Sequence, residues 1–452
     1  MPVEFVPIDR DTPYLLPPSV QDYLPEDHLA RFVAEMVDQL DMRTLLGVYA
    51  GKGKKPYHPA MLVALLFCGY ATGTFSSRKL EKATYDSIAF RYLCANTHPD
   101  HDTIASFRKR FLKELEGFFV EILLLGQAMG LVKLGTVSLD GTKIKANASK
   151  HKALSWAHAN KLEAQLKAEV EELMRLAEAA DNTPVPEEMD IPEELARREQ
   201  RLAKIAEAKA EIEARARARF EREQAEYEEK MARRKAKEAR TGKKPGGRPP
   251  AAPSADPQAK DQVNLNDEDS RIMPSHEGFV QSYNAQASVD ADSHLVLARH
   301  LSQQPNDKQE VAPTLERLGQ LPDALGQVDT LLADSGYFSE ANAKRCEAEG
   351  ITPYIAEGRQ RHNEPLHERF AADPPEPPQP NPVEAMAHRL RTRHGKAMYA
   401  RRKSTVETVF GVIKNVLGFR QFSLRGLEAV SGEWSLVCIG WNLKRLHALK
   451  GA

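Results

Sequence analysis

Apolar positions along the first 130 residues recur at helical spacing. The run 60–70 is almost wholly apolar and follows His58-Pro59, with proline where a helix begins. Ile104, Phe107 and Phe111 recur at three- and four-residue intervals behind a capping Asp102-Thr103, with Arg108, Lys109 and Arg110 facing elsewhere. From Gly135 the pattern changes. Residues 136–139 predict a short strand that stops at Asp140-Gly141, and strand character does not resume until Phe279. Residues 282–289 and 294–301 then form a hairpin about the turn 290–293. A helix near 310–318 leads into an apolar strand, 328–333, that ends at Asp334. A helix over 339–349, a strand over 351–355 and a proline-rich loop over 372–382 follow, and the chain closes with helices over 399–416 and 426–449.

Between the first strand and the hairpin lies a stretch of different composition. Residues 160–240 are dominated by Ala, Glu, Lys and Arg. Leu195, Leu202, Ile205, Ile212, Phe220, Tyr227 and Met231 fall near a seven-residue repeat. Pro184, Pro186 and Pro192 set off an earlier helix over 162–180. The pattern predicts a helical hairpin or coiled-coil arm, with a solvated charged helix as the alternative. Residues 243–261 read as disordered linker.

At 452 residues the chain is long enough for about three domains. Its net charge is −1, so affinity for a polyanion has to come from segregated patches and not from global charge. Cys68, Cys94, Cys346 and Cys438 are scattered, which argues against a disulfide framework or a zinc module. Cys94, His98 and His101 have faintly metal-like spacing but no fourth ligand nearby. No basic, then apolar, leader is visible, and no apolar run reaches membrane-spanning length. The expectation is a reduced, cytoplasmic protein associated with the nucleoid. The helical front end fits either DNA contact or packing and dimerisation.

The charge is segregated most strongly near the carboxyl end. Between His388 and Arg425 the basic residues are Arg389, Arg391, Arg393, Lys396, Arg401, Arg402, Lys403, Lys414, Arg420 and Arg425, and the only acid is Glu407. A surface built only for solubility mixes its signs. Lys143, Lys145, Lys150 and Lys152 likewise follow Asp140. Charge-assisted phosphate contacts account for both runs. Asp140 and Asp334 end strands, where sheets of this type place ligands, and Glu407 lies on a helix after the last strand. Each has a structural alternative: Asp140-Gly141 and Asp334-Ser335-Gly336 are turn sequences, and Glu407 has Lys403 four residues back as a helical ion-pair partner. Together they form a hard-oxygen set suited to Mg²⁺. Two such ions can activate an attacking oxygen and stabilise a leaving one in phosphodiester transfer.

Four stretches, LDGTKIKANAS (139–149), DEDSRIMPSHEGFVQSYNAQASVD (267–290), LLADSGYFSEAN (331–342) and RRKSTVETVFGVIKNVLGFRQFSLRG (401–426), resemble bacterial insertion-sequence transposases with an Asp-Asp-Glu triad, of insertion-sequence-four-like type. SRKLEKA and PDHDTIASFRKRF extend the resemblance into the amino-terminal helices. The resemblance implies an α/β (α+β) fold: a ribonuclease-H-like mixed sheet flanked by helices, with an all-α amino-terminal domain and a long helical insertion. The expected division is a helical DNA-binding or dimerisation domain over 1–130, a catalytic domain split into 131–152 and 263–452, and an insertion over 153–262. It also implies Asp140, Asp334 and Glu407 as catalytic and metal-binding residues. Mg²⁺, with Mn²⁺ able to substitute, would be the cofactor, and double-stranded DNA the partner of a homodimer.

A tyrosine–arginine–glutamate–lysine signature maps onto Tyr399, Arg402, Glu407 and Lys414. Arg402 lies one residue farther from Glu407 than the signature has it, and Lys403 holds the usual position, so both stand as phosphate-contacting candidates. Tyr399 is likewise one position early. Lys143 and Lys145 complete the expected DNA contacts. The implied reaction is binding of terminal inverted repeats, hydrolysis to free a 3′ hydroxyl and strand transfer. A nuclease without strand transfer and a catalytically inert DNA-binding derivative are the rival readings.

Overall fold

A computed structural model describes residues 19–49, 55–179, 190–244, 246–275, 278–358 and 372–451. Two compact units emerge, one formed by residues 1–146 with 282–452, the other by residues 147–281. The first begins with helices α1 (Leu29–Asp38), α2 (Arg43–Leu46), α3 (Pro59–Thr72), α4 (Ser77–Asp86), α5 (Ile88–Leu93), α6 (His101–Arg110) and α7 (Leu112–Ala128). Asp100, not Asp102, caps α6, its Oδ1 accepting from the Thr103 N–H at 2.7 Å. Arg108 does not face outward. It is buried and donates to the Tyr70 hydroxyl at 3.2 Å and the Phe75 carbonyl at 3.1 Å. Cys94 is buried, His98 stacks on Tyr85 and His101 bonds Glu81, so these three side chains have separate partners and form no common site.

Strand β1 (Thr136–Lys145) opens the sheet. It runs straight through Asp140-Gly141 instead of stopping there, because Gly141 stays in the antiparallel ladder opposite Gln286. A Cβ on Gly141 would lie 2.2 Å from the Gln286 amide, so only glycine continues the strand at this point.

The second unit holds β2 (Ala153–Ser155), α8 (Trp156–Ala179), α9 (Ile191–Thr241), β3 (Gln262–Asn264) and β4 (Arg271–Ser275). β2 to β4 are strands of three to five residues that lie before Phe279, too short for alternation to reveal. Leu202, Ile205 and Ile212 of α9 pack with Ala159, Leu162 and Leu166 of α8 and with Leu154 and Val263 of the β2–β3 pair. The predicted arm is thus a hairpin closed on its own apolar seam. Residues 246–261 are tied back to α9 instead of forming free linker. Arg234 donates to the carbonyls of Gly246 and Gly247, and Asp261 takes a two-bond grip from Arg219. Residues 180–189, including Pro184 and Pro186, lie outside the described residues.

The chain then forms β5 (Gly278–Asp290), β6 (Val296–Ser302), α10 (Val311–Gly319), β7 (Thr330–Ala333), α11 (Glu340–Ala348), β8 (Thr352–Ile355), α12 (Pro382–Arg391), α13 (Arg393–Gly411) and α14 (Leu427–Lys450). In the sheet β6 pairs with β5, β5 with β1, β1 with β7 and β7 with β8. The β6–β5–β1 side is antiparallel and the β1–β7–β8 side parallel. This is the mixed, helix-flanked α/β sheet of the expected ribonuclease-H-like class.

α14 joins the sheet to the amino-terminal helices. It is buried nearly all round, as a helix apolar on every face must be. Trp434 Nε1 donates to the Gln286 carbonyl at 3.1 Å, and Asn442 bonds both the N–H and the carbonyl of Val296 at 2.8 Å. Gly440 lets it approach α3, where a Cβ would come 2.7 Å from the Tyr70 carbonyl carbon. The amino-terminal helices α1–α7 therefore share a core with the sheet and do not stand apart, and the second unit, at 147–281, is wider than the expected 153–262. Among the described residues no single helix is long and apolar enough to cross a membrane.

The close crossing of α3 and α14 sets a testable cost. Gly440→Leu should destabilise the first unit by about 1–3 kcal/mol through overpacking. Gly319→Ala, at an open helical position, should be neutral or slightly stabilising. Equal thermal midpoints for the two variants would contradict this packing.

Candidate active site

Register brings the two aspartates together. In the parallel pairing of β1 with β7, Leu139 stands opposite Ala333, so Asp140 and Asp334 each follow the last matched pair on neighbouring strands. Parallel neighbours are about 4.8 Å apart, which puts both carboxylates at one end of the parallel half. Asp140 Oδ1 accepts from the Gly141 N–H at 2.8 Å. Asp334 caps the turn that follows it, accepting from the Gly336 N–H at 2.7 Å.

α13 brings the third acid. Its buried stripe of Val406, Val409 and Phe410 seats the helix, and Arg402 is drawn into the interior beside it. The Arg402 guanidinium donates to Asp140 Oδ2 at 3.4 Å and to Glu407 Oε1 at 2.9 Å, so one cation spans acids from two elements. Its own burial works against its charge, but Asp140, then Tyr399 and Glu407, hold its pKa above the ordinary value. Glu407 therefore pairs with Arg402 and not with Lys403, which is exposed. Tyr399 is half-buried with the guanidinium over its ring, 6.0 Å from the centroid, and burial raises its phenol.

Past Gly411 the helix widens into a π turn over Val412–Val416, with the Leu417 N–H bonding the Val412 carbonyl at 2.9 Å. Such turns are often found at functional positions. Within it, Lys414 Nζ donates to Thr142 Oγ1 at 2.8 Å, and its pKa is lowered by burial and secondarily by Arg420. Asp140, Thr142, Arg402, Glu407 and Lys414 thus lie where α13 and its extension meet β1.

The opposite side of β1 carries a second polar group. Gly141 and Lys143 pair across the ladder with Gln286 and Asn284. Both amides donate to Asp307 Oδ1, at 2.7 and 2.6 Å, and Lys143 Nζ lies 3.5 Å from the same oxygen. Tyr337 completes the group by donating to Gln286 Oε1 at 2.5 Å. Lys143, expected to reach outward, is instead turned to Asp307, and burial lowers its pKa. Lys145 is fixed through its backbone to Arg420 and Phe422. Sequence reasoning missed Asp307, Asn284, Gln286 and Tyr337. The available signal was the alternation of polar residues with Tyr283, Ala285 and Ala287 on a strand buried on both faces.

As for a metal, the donor chemistry fits a hard divalent cation at Asp140 and Asp334. Asp140 is pushed up to about 7 by burial first and by Asp334 second, with Asp307 adding to the repulsion, a surplus of negative charge that a cation would relieve. Glu407 is held by Arg402 instead. Among the described residues no three candidate ligands close on one point.

Residues 18–110 match the family described as Transposase domain (DUF772), and residues 250–443 match the family described as Transposase DDE domain. The second span contains Asp334 and Glu407, while Asp140 precedes it. No curated protein and no solved structure matches the chain.

The raised Asp140 has a pH signature. Its ordinary value is 3.8 and its folded value about 7, so between these the unfolded chain ionises and the folded one resists. Without divalent cations, stability should fall as pH rises through that window, on the order of 2 kcal/mol between pH 5 and 8. Asp140→Asn removes this term. The stability difference between variant and wild type in chelator should therefore shift in favour of the variant from pH 5 to pH 8, and a constant difference would contradict the assignment.

Proposed function

The chain belongs to the insertion-sequence DDE transposases, and on that premise we propose that it binds the terminal inverted repeats of its own element, frees a 3′ hydroxyl by phosphodiester hydrolysis and joins it to target DNA. The observation that carries the reading is the shared guanidinium: Arg402 ties Asp140, next to Asp334 across the β1–β7 register, to Glu407 of α13. Two acids joined by one buried cation, with Asp334 beside the first across the sheet, are the arrangement an Asp-Asp-Glu set calls for. The signature Tyr399, Arg402, Glu407 and Lys414 supports the insertion-sequence-four-like subgroup.

Asp140 and Asp334 would hold Mg²⁺ or Mn²⁺, and Glu407 completes the set on release from Arg402. When bound, the metal would supply activation of the attacking oxygen and neutralisation of the leaving one. The protein's own groups do the rest. Arg402, freed from Glu407, presents its guanidinium to a backbone phosphate in the two-bond geometry suited to that group. Lys414, already poised by Thr142 and partly desolvated, offers a second phosphate contact, with Lys403 and Lys145 at the periphery. Lys143 contributes only if it leaves Asp307. Tyr399 supports the Arg402 plane. Hydrolysis and joining differ only in the attacking hydroxyl, water in the first and the 3′ end in the second, so a single arrangement of acids serves both. Pairing of two ends calls for a homodimer, acting in the cytoplasm on nucleoid DNA.

Cleavage of a duplex carrying the inverted repeats that flank the gene, followed by strand transfer, tests the reading. Asp140→Asn, Asp334→Asn and Glu407→Gln should each reduce cleavage by at least 100-fold, as loss of a metal ligand does, on the order of 3 kcal/mol in barrier, while DNA binding persists. Normal cleavage by any one of them removes that residue from the set. Cleavage without joining would favour the nuclease reading.

Lys414→Ala and Arg402→Ala test the phosphate contacts separately. Each should weaken binding and lower the slope of log affinity against log salt by about 0.9 per lost contact. An unchanged slope would exclude that side chain as a phosphate contact.

A further inference from the structure

We infer that the distal end of α9 and the residues that follow it, 232–244 and 246–248, form a second surface for the phosphate backbone of duplex DNA. The charge along α9 divides sharply. From Ile191 to Met231 the acids Glu193, Glu194, Glu199, Glu207, Glu211, Glu213, Glu221, Glu223, Glu226, Glu228 and Glu229 balance a nearly equal number of Arg and Lys side chains. Many form pairs four residues apart, among them Arg197–Glu193, Arg215–Glu211 and Lys230–Glu226, as in a solvated helix that neutralises itself. Beyond Arg233, which still pairs back to Glu229, the pattern ends. Arg234, Lys235, Lys237, Arg240, Lys243, Lys244 and Arg248 share that stretch with a single acid, Glu238.

Among the described residues no carboxylate lies within ion-pair distance of Lys237, Arg240, Lys243, Lys244 or Arg248, and all five are exposed. A favourable interaction with the helix dipole explains at most the last turn, and Lys243, Lys244 and Arg248 lie outside it.

The surface is also built to be held. Gly242 ends α9 in the left-handed conformation at φ 65°, its N–H bonding the Glu238 carbonyl at 2.8 Å. Arg234 donates to the Gly246 and Gly247 carbonyls, so the residues on either side of Lys243 and Lys244 are both tied to α9. The half-buried stripe of Phe220, Tyr227 and Met231 runs on the same stretch as the proline-containing return, where Pro250, Pro253 and Pro257 are also half-buried. A second helix pairing along that stripe would compete with the return, so the proposal commits to nucleic acid and not to a second copy of the chain.

Lys237, Arg240 and Lys244 recur at three- and four-residue intervals over a rise of about 10 Å, and a single strand of duplex presents a phosphate about every 3.4 Å of axis. The stripe, with Lys243 beside it, thus fits several successive phosphates, contacts that position a duplex without reading its sequence, which predicts binding without sequence preference. The choice of duplex DNA rests on the transposase reading; the cationic surface itself does not.

The test uses the full chain with Lys237→Gln, Arg240→Gln, Lys243→Gln and Lys244→Gln together, and a random 30-base-pair duplex as probe. Binding should weaken on the order of ten- to hundredfold at low salt, and the salt slope should fall by about 2–4. The set Lys237→Arg, Lys243→Arg and Lys244→Arg should retain wild-type binding, so a fold defect is distinguished from lost charge. Wild-type affinity and slope in the neutral variant overturn the proposal, as does tighter binding of wild type to double-stranded RNA than to DNA. A changed particle mass without DNA also overturns it, by assigning the surface to self-association. If Asp140→Asn cleaves normally while the neutral tip loses binding, the active-site reading fails and this surface stands.

Discussion

A buried guanidinium holds the candidate site together. Taking Arg402 out of water is costly unless its charge is matched and its donors used. Asp140 and Glu407 match the charge from different elements, and Asp140 in turn depends on it, being driven to about 7 by burial and by Asp334. The pairing is incomplete, because Arg402 Nε is buried without a hydrogen-bond partner. A site finished by its own residues would satisfy that group. One that leaves a buried donor unused beside surplus carboxylate charge is organised for a ligand of both signs, and a phosphodiester with its divalent cation is such a ligand.

The cation can hold its position only because the sheet fixes the carboxylates first. β1 is paired on both sides, antiparallel to β5 and parallel to β7, so its register cannot slip without turning Asp140 to the other face. Gly141 is the weak point of such a strand and also its solution. Without a side chain, it lets Gln286, Asn284 and Asp307 close against the backbone on the side away from α13. Asp140 is thus backed by a filled polar layer, and the layer explains why the strand tolerates polar residues it would otherwise have to expose.

Much of this was legible in the sequence, for identifiable reasons. The apolar runs of β7 and α3, the β5–β6 hairpin and the amphipathic α13 announce themselves because burial and period coincide. The three acids were legible by their position after strands and inside basic surroundings. What failed to show were features decided by tertiary context. Asp140-Gly141 is a turn by local preference and a strand in the fold. The helix wheel placed Lys403 beside Glu407, yet the buried partner is Arg402, because the seat of α13 on the sheet selects which cation turns inward. Lys143 sits in a basic run but answers to Asp307, a residue distant in sequence. Neighbours supplied by other strands leave no trace in a local pattern.

The long insertion is tolerated for a related reason. The first unit releases the chain after Ala146 and recovers it at Ser282, and Lys145 and Ser282 are register partners on adjacent strands. The two ends of the insertion are therefore held at neighbouring points whatever lies between them. A segment so anchored adds no strain to the sheet provided that it closes on itself, and the logarithmic cost of loop length makes its size nearly irrelevant. The hairpin meets that condition twice. Its α8–α9 seam buries Leu166, Ile205 and Ile212, and Asp261 locks the return to the start of α8 by accepting from the Trp156 N–H at 2.7 Å while pairing with Arg219. Beyond that lock the side chains of α9 are mostly exposed, and its sequence can answer to charge.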